Sequence, residues 1–228
     1  AKRTGKKLTI GYQNRFRKEV QQLHTLCENG ALGDIYFAKA HAVRRRAVPN
    51  WGVFLNEEEQ GGGPLIDIGT HALDMTLWLM NNYKPLYVVG NAYHKLAETE
   101  NAANAFGPWD PKEFTVEDSA FGFVTMENGA TIVLESSWAL NILDVGEAKT
   151  TLCGTKGGAD LRDGLGINGE ENGKLYEKKI EVTMSGVAFY DSTESNLDND
   201  REAAYWIHCL KTDSELVVKP EQALVVTQ

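Results

Sequence analysis

Cysteine is scarce in this sequence, and so are proline, methionine and long apolar runs. The three cysteines among 228 residues are Cys27, Cys153 and Cys209. An odd, widely spaced set with no Cys-x-x-Cys pair excludes a disulfide framework and a zinc knuckle. It suits a reducing compartment, so a cytoplasmic location is expected, with all three thiols read as buried apolar groups. No apolar h-region follows the basic start, and no apolar run approaches the ~20 residues of a membrane-spanning helix. Positive charge is in deficit: 23 Lys and Arg stand against 32 Asp and Glu, a net charge of −9. That balance excludes nucleic acid and anionic membranes as partners. The basic cluster Lys2, Arg3, Lys6, Lys7, Arg15, Arg17 and Lys18 reads as a solvated helix end. A glycine-rich dinucleotide loop between strand and helix is missing too: GTKGGAD at 154–160 has the glycines but sits in a strand-turn-strand context. What is present is an ordinary globular composition, 42% hydrophobic and 24% charged, enough to bury a core.

The chain opens with a helix tail, a stop at Gly5 and a strand from Leu8, and it closes on PEQALVVTQ, a helix begun at Pro220 and soon ended. Both termini look cut, which implies a piece of a longer protein. Glu19–Asn29 carries Val20, Leu23, Leu26 and Cys27 at helical spacing and stops at Gly30. Residues 35–46 and 86–96 alternate as strands. Residues 118–138 form the clearest hairpin, around Asn128-Gly129 in an expected type I′ turn. KTTLCGTKGGADLR adds a strand, a turn and a short return, and GINGEENGKLYEKKIEV a hairpin around Asn172-Gly173. Residues 94–117 form a long loop. DREAAYWIHCLK is helical, with Ala203, Trp206, Ile207 and Leu210 as its apolar face. Strands joined by tight turns with helices towards the two ends predict an α+β fold. It is an open, mostly antiparallel (mixed) sheet with helices on one face and the other face available for oligomerisation.

The stretch GGGPLIDIGTHALDMTLWLM (61–80) carries the chemistry. In a helix from Pro64, Asp67 and His71 stand about 40° apart and Asp74 within about 20° of Asp67. The opposite stripe, Leu65, Ile68, Ala72, Met75 and Leu79, would pack on the sheet. A carboxylate one turn from an imidazole can fix its tautomer and raise its basicity, so Asp67 and His71 form a general base with its orienting partner. The bare backbone at Gly62 and Gly63 leaves room at the helix N-terminus for an anion or a flat cofactor ring. A metal set of Asp67, His71 and Asp74 in a hydrolase, isomerase or lyase is the competing reading, and a non-catalytic oligomerisation module is a third. Among Arg44, Arg45 and Arg46 one is expected to face the pocket, with Arg46 preferred, and Trp51 can stack on a sugar ring. His41 and His94 read as packed or surface histidines, Trp138 as core or subunit interface, and His208 on the late helix as a remote candidate.

The same stretch resembles the second-domain signature of the glucose-fructose oxidoreductase and inositol dehydrogenase family, Gfo/Idh/MocA. KKLTIGYQNRF is similar to the strand that closes that family's Rossmann domain. GALGDIYFAKA, RRRAVPNWGVF, TVEDSAFGFVTMENGATIVLESSW and LCGTKGGADL resemble its later segments in order. The resemblance implies an NAD(P)-dependent oxidoreductase acting on a sugar, polyol or related hydroxy compound, and a homodimer or homotetramer formed through the sheet face. Residues 1–16 would be the remnant of a Rossmann domain. Residues 17–228 would be the substrate-binding and oligomerisation domain, cut within its last helix. Carried over, His71 would exchange the proton, Asp67 would orient it, Asp74 would contact substrate hydroxyls, and Gln13, Asn14 and Arg15 would border the pocket. The family's Glu-Lys-Pro motif is missing, and Lys6 and Lys7 do not replace it. The isolated piece is expected to bind no cofactor and to be inactive.

Overall fold

Strand pairing organises the computed structural model, which describes residues 1–181 and 198–228. In chain order the strands are β1 Ile35–Val43, β2 Pro85–Tyr93, β3 Ser119–Met126, β4 Thr131–Ser137, β5 Gly146–Gly154, β6 Gly157–Asp160, β7 Leu165–Glu171 and β8 Lys174–Ile180. They form one eight-stranded sheet in the order β2-β3-β4-β1-β5-β6-β7-β8. Only the central β1–β4 pair is parallel; the other pairs run antiparallel. This is the mixed α+β sheet that the turn pattern predicts.

The described helices are α1 Lys18–Glu28, α2 Glu57–Gln60, α3 Thr70–Met80, α4 Asp198–Thr212 and α5 Pro220–Thr227. The helix face of the sheet is built from small residues at its centre. Ala38, Ala40 and Ala42 of β1 are fully buried, while Tyr36 is 57% exposed. The alanine surface lets α3 lie close over β1 and β5. One buried cluster joins these alanines to Val20 and Leu23 of α1, Met75 and Leu79 of α3, Ile132 and Leu134 of β4, and Val226 of α5. At the sheet's edge, β2 is exposed along its whole length, Leu86, Val88 and Val89 included.

Local chemistry fixes the turns. Asn172 and Gly173 both take positive φ (52° and 73°) between the paired Glu171 and Lys174, the two-residue type I′ hairpin. At the other hairpin only Gly129 does (85°). There the Gly129 N–H donates to Met126 O and the Met126 N–H to Ala130 O. The loop is thus a type I turn closed by a left-handed glycine, not the type I′ turn expected.

Three further expectations change. Residues 6–12 form no strand; Thr9 Oγ1 and Lys7 Nζ instead donate to Val218 O and Ser214 O. The long loop of 94–117 is there as expected, and it is packed inward. Asp118 Oδ2 accepts the N–H groups of Lys95, Leu96 and Ala97 at 2.6, 2.7 and 3.0 Å, and Trp109 and Phe114 are buried. On α4, Arg201 and Cys209 are the buried residues and Tyr205 meets Phe16, while Ile207 and Leu210 are 51% and 54% exposed. The apolar stripe thus faces away from the neighbour this helix packs on. Of the cysteines only Cys209 is buried.

Arg15 and Asp74 are both enclosed, at 0% and 1% side-chain exposure. Arg15 sits on a 3₁₀ turn, Gln13–Phe16. Its Nε and Nη2 donate to the two Asp74 oxygens at 2.9 and 2.6 Å. Nη1 donates to Val217 O and Gln222 Oε1, Nη2 also to the Tyr83 hydroxyl, and the guanidinium lies 5.4 Å over the Trp78 ring. All the donors of the fork are thereby used. Burial works against the guanidinium charge and the Asp74 hydrogen bonds outweigh it, so its pKa is raised. Burial pushes the Asp74 carboxyl up and Arg15 pulls it down; the bidentate geometry is that of an ionised pair. Asp74, expected to reach substrate, and Arg15, expected to border the pocket, are therefore each other's partners in the interior. Arg15→Met, which strands a buried carboxylate, is expected to destabilise the fold by about 3–5 kcal/mol. The double change with Asp74→Leu should recover most of that loss in urea denaturation.

Candidate functional site

Asp67 and His71 stand on the turn that leads into α3, where the backbone departs from a plain α-helix. The Thr70 N–H donates to Leu65 O, five residues back, so Leu65–Gly69 is a π turn. One extra residue rotates the chain before the turn by about 100° relative to the helix after it. Leu65, expected on the packed stripe, is consequently 37% exposed. Asp67 and His71 are half-buried near the surface while Asp74 lies in the core. The three groups do not converge as a metal set would require. Among the described residues, no cluster of three or more His, Cys, Asp or Glu is placed to hold a metal.

The bare entrance to this helix is filled by the chain itself. Glu117 accepts the Gly63 N–H at 2.7 Å and the Leu65 N–H at 3.0 Å. An internal carboxylate thus takes the place at the helix N-terminus where a ligand anion was expected. Gly63 must be glycine because a Cβ there would lie 2.1 Å from the Glu117 carbonyl oxygen. Gly62 and Gly63 are both buried; the bareness of Gly63 serves packing against Val116 and Glu117, while a Cβ on Gly62 would meet only the Ile66 side chain at 3.5 Å.

Asp67 has a partner that its spacing does not reveal. The Trp138 indole N–H donates to Asp67 Oδ2 at 2.9 Å, from a ring that is fully buried and braced edge-on by Phe54 at 6.2 Å. His71 has no such bond: its Nδ1 is buried without a hydrogen-bond partner among the described residues. Tyr12 packs edge-to-face on the imidazole at 5.7 Å. Asp67 therefore acts on His71 through charge and not through a bond to Nδ1. Burial pushes the imidazole pKa below its ordinary 6.5, opposed by Asp67, then Asp74, then Glu147. Burial also sends the Tyr12 hydroxyl up to about 12, so it stays protonated.

Glu147, the most distant of these carboxylates in sequence, is clasped by Arg44 Nε and Nη2 at 2.6 and 2.7 Å. Arg44 is thus the member of the arginine triplet tied to the charge around His71. Arg46 donates to Asn141 Oδ1 at 2.9 Å, and Arg45 is exposed. Gln13 and Asn14 are half-buried beside Tyr12. Trp51 is 52% exposed and touches Phe54 and Phe106. His41 pairs with Glu135 at 2.8 Å on the sheet, and His94 Nε2 lies 2.6 Å from the carbonyl oxygen of Phe114, whose ring packs on Trp138. A concavity of about 1150 Å³ is lined by Tyr36, His41, Lys149, Asp160 and Arg162, and by neither Asp67 nor His71. Sequence reasoning missed Glu117, Tyr12, Glu147 and the bond from Trp138. Each meets the site across the fold, and no spacing signal could have found it.

The GFO/IDH/MocA C-terminal domain model matches residues 20–160. The D-glucoside 3-dehydrogenase of Escherichia coli (strain K12) is 43% identical over 161 residues, 71% of this chain and 46% of that protein. The aldose-aldose oxidoreductase of Caulobacter crescentus, solved with glycerol, superposes with a TM-score of 0.69 at 22% identity, over 99% of this chain and 60% of its own. Levoglucosan dehydrogenase in complex with NADH and L-sorbose superposes at 0.71 with 16% identity, over 94% and 60%. The chain belongs to the GFO/IDH/MocA oxidoreductase family. It spans about half the length of the curated relatives it matches.

The depressed His71 pKa sets a pH dependence. The folded chain favours neutral imidazole, so below pH 6.5 the unfolded chain binds more protons. The contribution is fully present above that value and is lost as pH falls through the lower folded-state value. The unfolding free energy of the wild type relative to His71→Gln is expected to fall between about pH 7 and about pH 5. A difference that stays flat across that range would show that the imidazole is not held neutral by the fold.

Proposed function

We propose that this chain is the substrate-side half of an NAD(P)-dependent oxidoreductase acting on a hydroxyl of a glucoside, sugar or polyol, with His71 exchanging the proton. The observation that carries this reading is the state of the His71 imidazole. It lies half-buried near the surface, kept neutral by burial, within the field of three carboxylates. Oxidising a carbinol releases a hydride from carbon and a proton from oxygen, and a neutral imidazole can take the proton. Nδ1 is enclosed, so Nε2 is the atom that meets the substrate hydroxyl. As the proton arrives, Asp67 stabilises the imidazolium, its own carboxylate held in place by Trp138. Asp74 and Glu147 add to that field, each restrained by its arginine.

Among the described residues, neither glycine-rich place fits a dinucleotide. GTKGGAD is the β5–β6 turn, and the Gly63 and Leu65 N–H groups before α3 are taken by Glu117. The nicotinamide, which supplies the hydride acceptor, would be held by residues beyond these 228; the greater length of the relatives supports this. The dehydrogenase relative and the NADH-bound structure of the same fold support the choice of cofactor. The exposed β2 edge supports assembly into a homo-oligomer.

Full-length protein is expected to oxidise methyl glucoside with NAD⁺ or NADP⁺, followed by nicotinamide absorbance, while residues 1–228 alone turn over nothing. His71→Ala should lower kcat by about 10²–10⁴-fold. An unchanged kcat would overturn the assignment of the proton to His71.

A further inference from the structure

Strand β5 begins on an irregular pairing with β1. His41 lies opposite Lys149 and Val43 opposite Gly146, so Ala42 alone faces two residues, Glu147 and Ala148. This is a β-bulge. Its second residue, Ala148, takes φ 47°, a left-handed backbone that a residue with a Cβ adopts only at a cost. Two arginines hold it there. Arg17 Nη1 donates to Ala148 O at 3.0 Å, and Arg44 Nε and Nη2 clasp the Glu147 carboxylate. Bulges and strained residues of this kind re-aim a side chain beside a site.

The bulge stands at the end of the sheet that carries His71. Ala42 is buried on the helix face and pairs on its other side with Ser136 of β4. Ser136 Oγ donates to Pro64 O, and a Cβ on Gly69 would lie 2.9 Å from that same oxygen. Gly69, Ser136, Ala42 and the bulge thus form one row across β4, β1 and β5, with His71 two residues beyond Gly69. Further along α3, Thr76 Oγ1 meets Thr150 Oγ1 at 2.9 Å. The helix therefore starts over β4 and comes down on β5, which brings His71 to the side of the bulge. The charge of Glu147 acts on the His71 ring accordingly.

The three carboxylates around His71 differ in what they have left to offer. Both Asp74 oxygens go to Arg15 in the interior, and Asp67 is half-buried and holds the Trp138 indole. The Glu147 side chain is 47% exposed. Arg44 takes one lone pair on each Glu147 oxygen and leaves one on each free. Its Nη1 donates to Ala47 O, so Nη1 and Nη2 each keep an N–H without a partner among the described residues. Acceptor and donor stand side by side along the edge of this pair. A sugar hydroxyl, which donates and accepts at once, is the matching guest.

We propose that the Arg44–Glu147 pair binds a second ring hydroxyl of the sugar whose carbinol faces His71, and so sets which carbinol is oxidised. A pyranose carries several secondary hydroxyls of similar reactivity, and a base alone does not choose among them. A second fixed point does, because it leaves one orientation of the ring over the imidazole. This inference rests on the proposed oxidoreductase reading.

The test uses full-length wild type, Glu147→Ala and Glu147→Gln with methyl glucoside and its singly deoxygenated analogues. Removing the hydroxyl that meets the pair should lower wild-type kcat/KM about 10- to 100-fold, the usual effect of a hydrogen bond to a charged group. The same removal should cost Glu147→Ala less than about threefold, with Glu147→Gln between the two. The position oxidised, read by NMR of the product, should become mixed in Glu147→Ala. Calorimetric titration of the glucosides into the same proteins needs no turnover and separates this inference from the reading beneath it. Glucoside binding that is lost in Glu147→Ala while wild type oxidises nothing would keep the subsite and remove the oxidoreductase assignment. Two results would overturn the subsite: an equal loss on every analogue in both variants, as a merely structural role gives, or binding and product position that neither substitution alters.

Discussion

Burial of the Arg15–Asp74 pair is the constraint on which the site depends. An ion taken into the interior is costly unless it is paired and its remaining polar atoms are satisfied. Here the guanidinium meets Asp74, Val217, Gln222 and Tyr83 at once. These partners belong to α3 and the segment after it, to α5 and the segment before it, and the pair ties both to the turn that carries Tyr12. Because Asp74 must face Arg15, the rotation of α3 about its axis is fixed, and with it the direction of His71 one turn earlier. Tyr12 lies three residues before Arg15, and its ring closes on His71 for the same reason.

The π turn answers a conflict that this pairing creates. A continuous α-helix would put Asp67 on the stripe of Asp74 and draw it towards the interior, where the arginine is already occupied. One extra residue turns Asp67 aside to meet Trp138, at the cost of leaving Leu65 and Ile66 exposed. It also moves the first turn of the segment up against Glu117, whose carboxylate takes N–H groups left free at a helix start. Irregular backbone and exposed apolar residues stand together at Leu65–Gly69, where local regularity has been given up to place one carboxylate.

Much of the fold was legible because its determinants are local. The left-handed pair Asn172-Gly173, the stop at Gly30 and the alternation in β1 each act over a few residues, and together they give the α+β sheet. The candidate helix was legible for the same reason, as a carboxylate and an imidazole four residues apart. The pairs that matter most were not. Arg15–Asp74, Asp67–Trp138 and Glu117 with the Gly63 backbone are each separated by more than fifty residues, and only the folded chain brings them together. The arginine was read from its position and not from its partner. The face of α4 failed for a related reason, since periodicity finds an apolar stripe but not the neighbour that the helix meets.

The field at His71 gives the site its chemical character, and opposing terms set it. Burial favours the neutral ring, while Asp67, Asp74 and Glu147 favour the charged one. Two of those carboxylates are clasped by arginines and the third by an indole, so none can swing in to quench the imidazolium or away to abandon it. On the proposed role, a ring that gains and loses a proton in each cycle needs both tendencies, because either alone would trap one form. The carboxylates come from the π turn, from α3 and from β5, so the titration of His71 is a property of the packed domain and not of the helix that carries it. On the proposed reading, the packed domain and not the helix alone supplies the tuned proton acceptor.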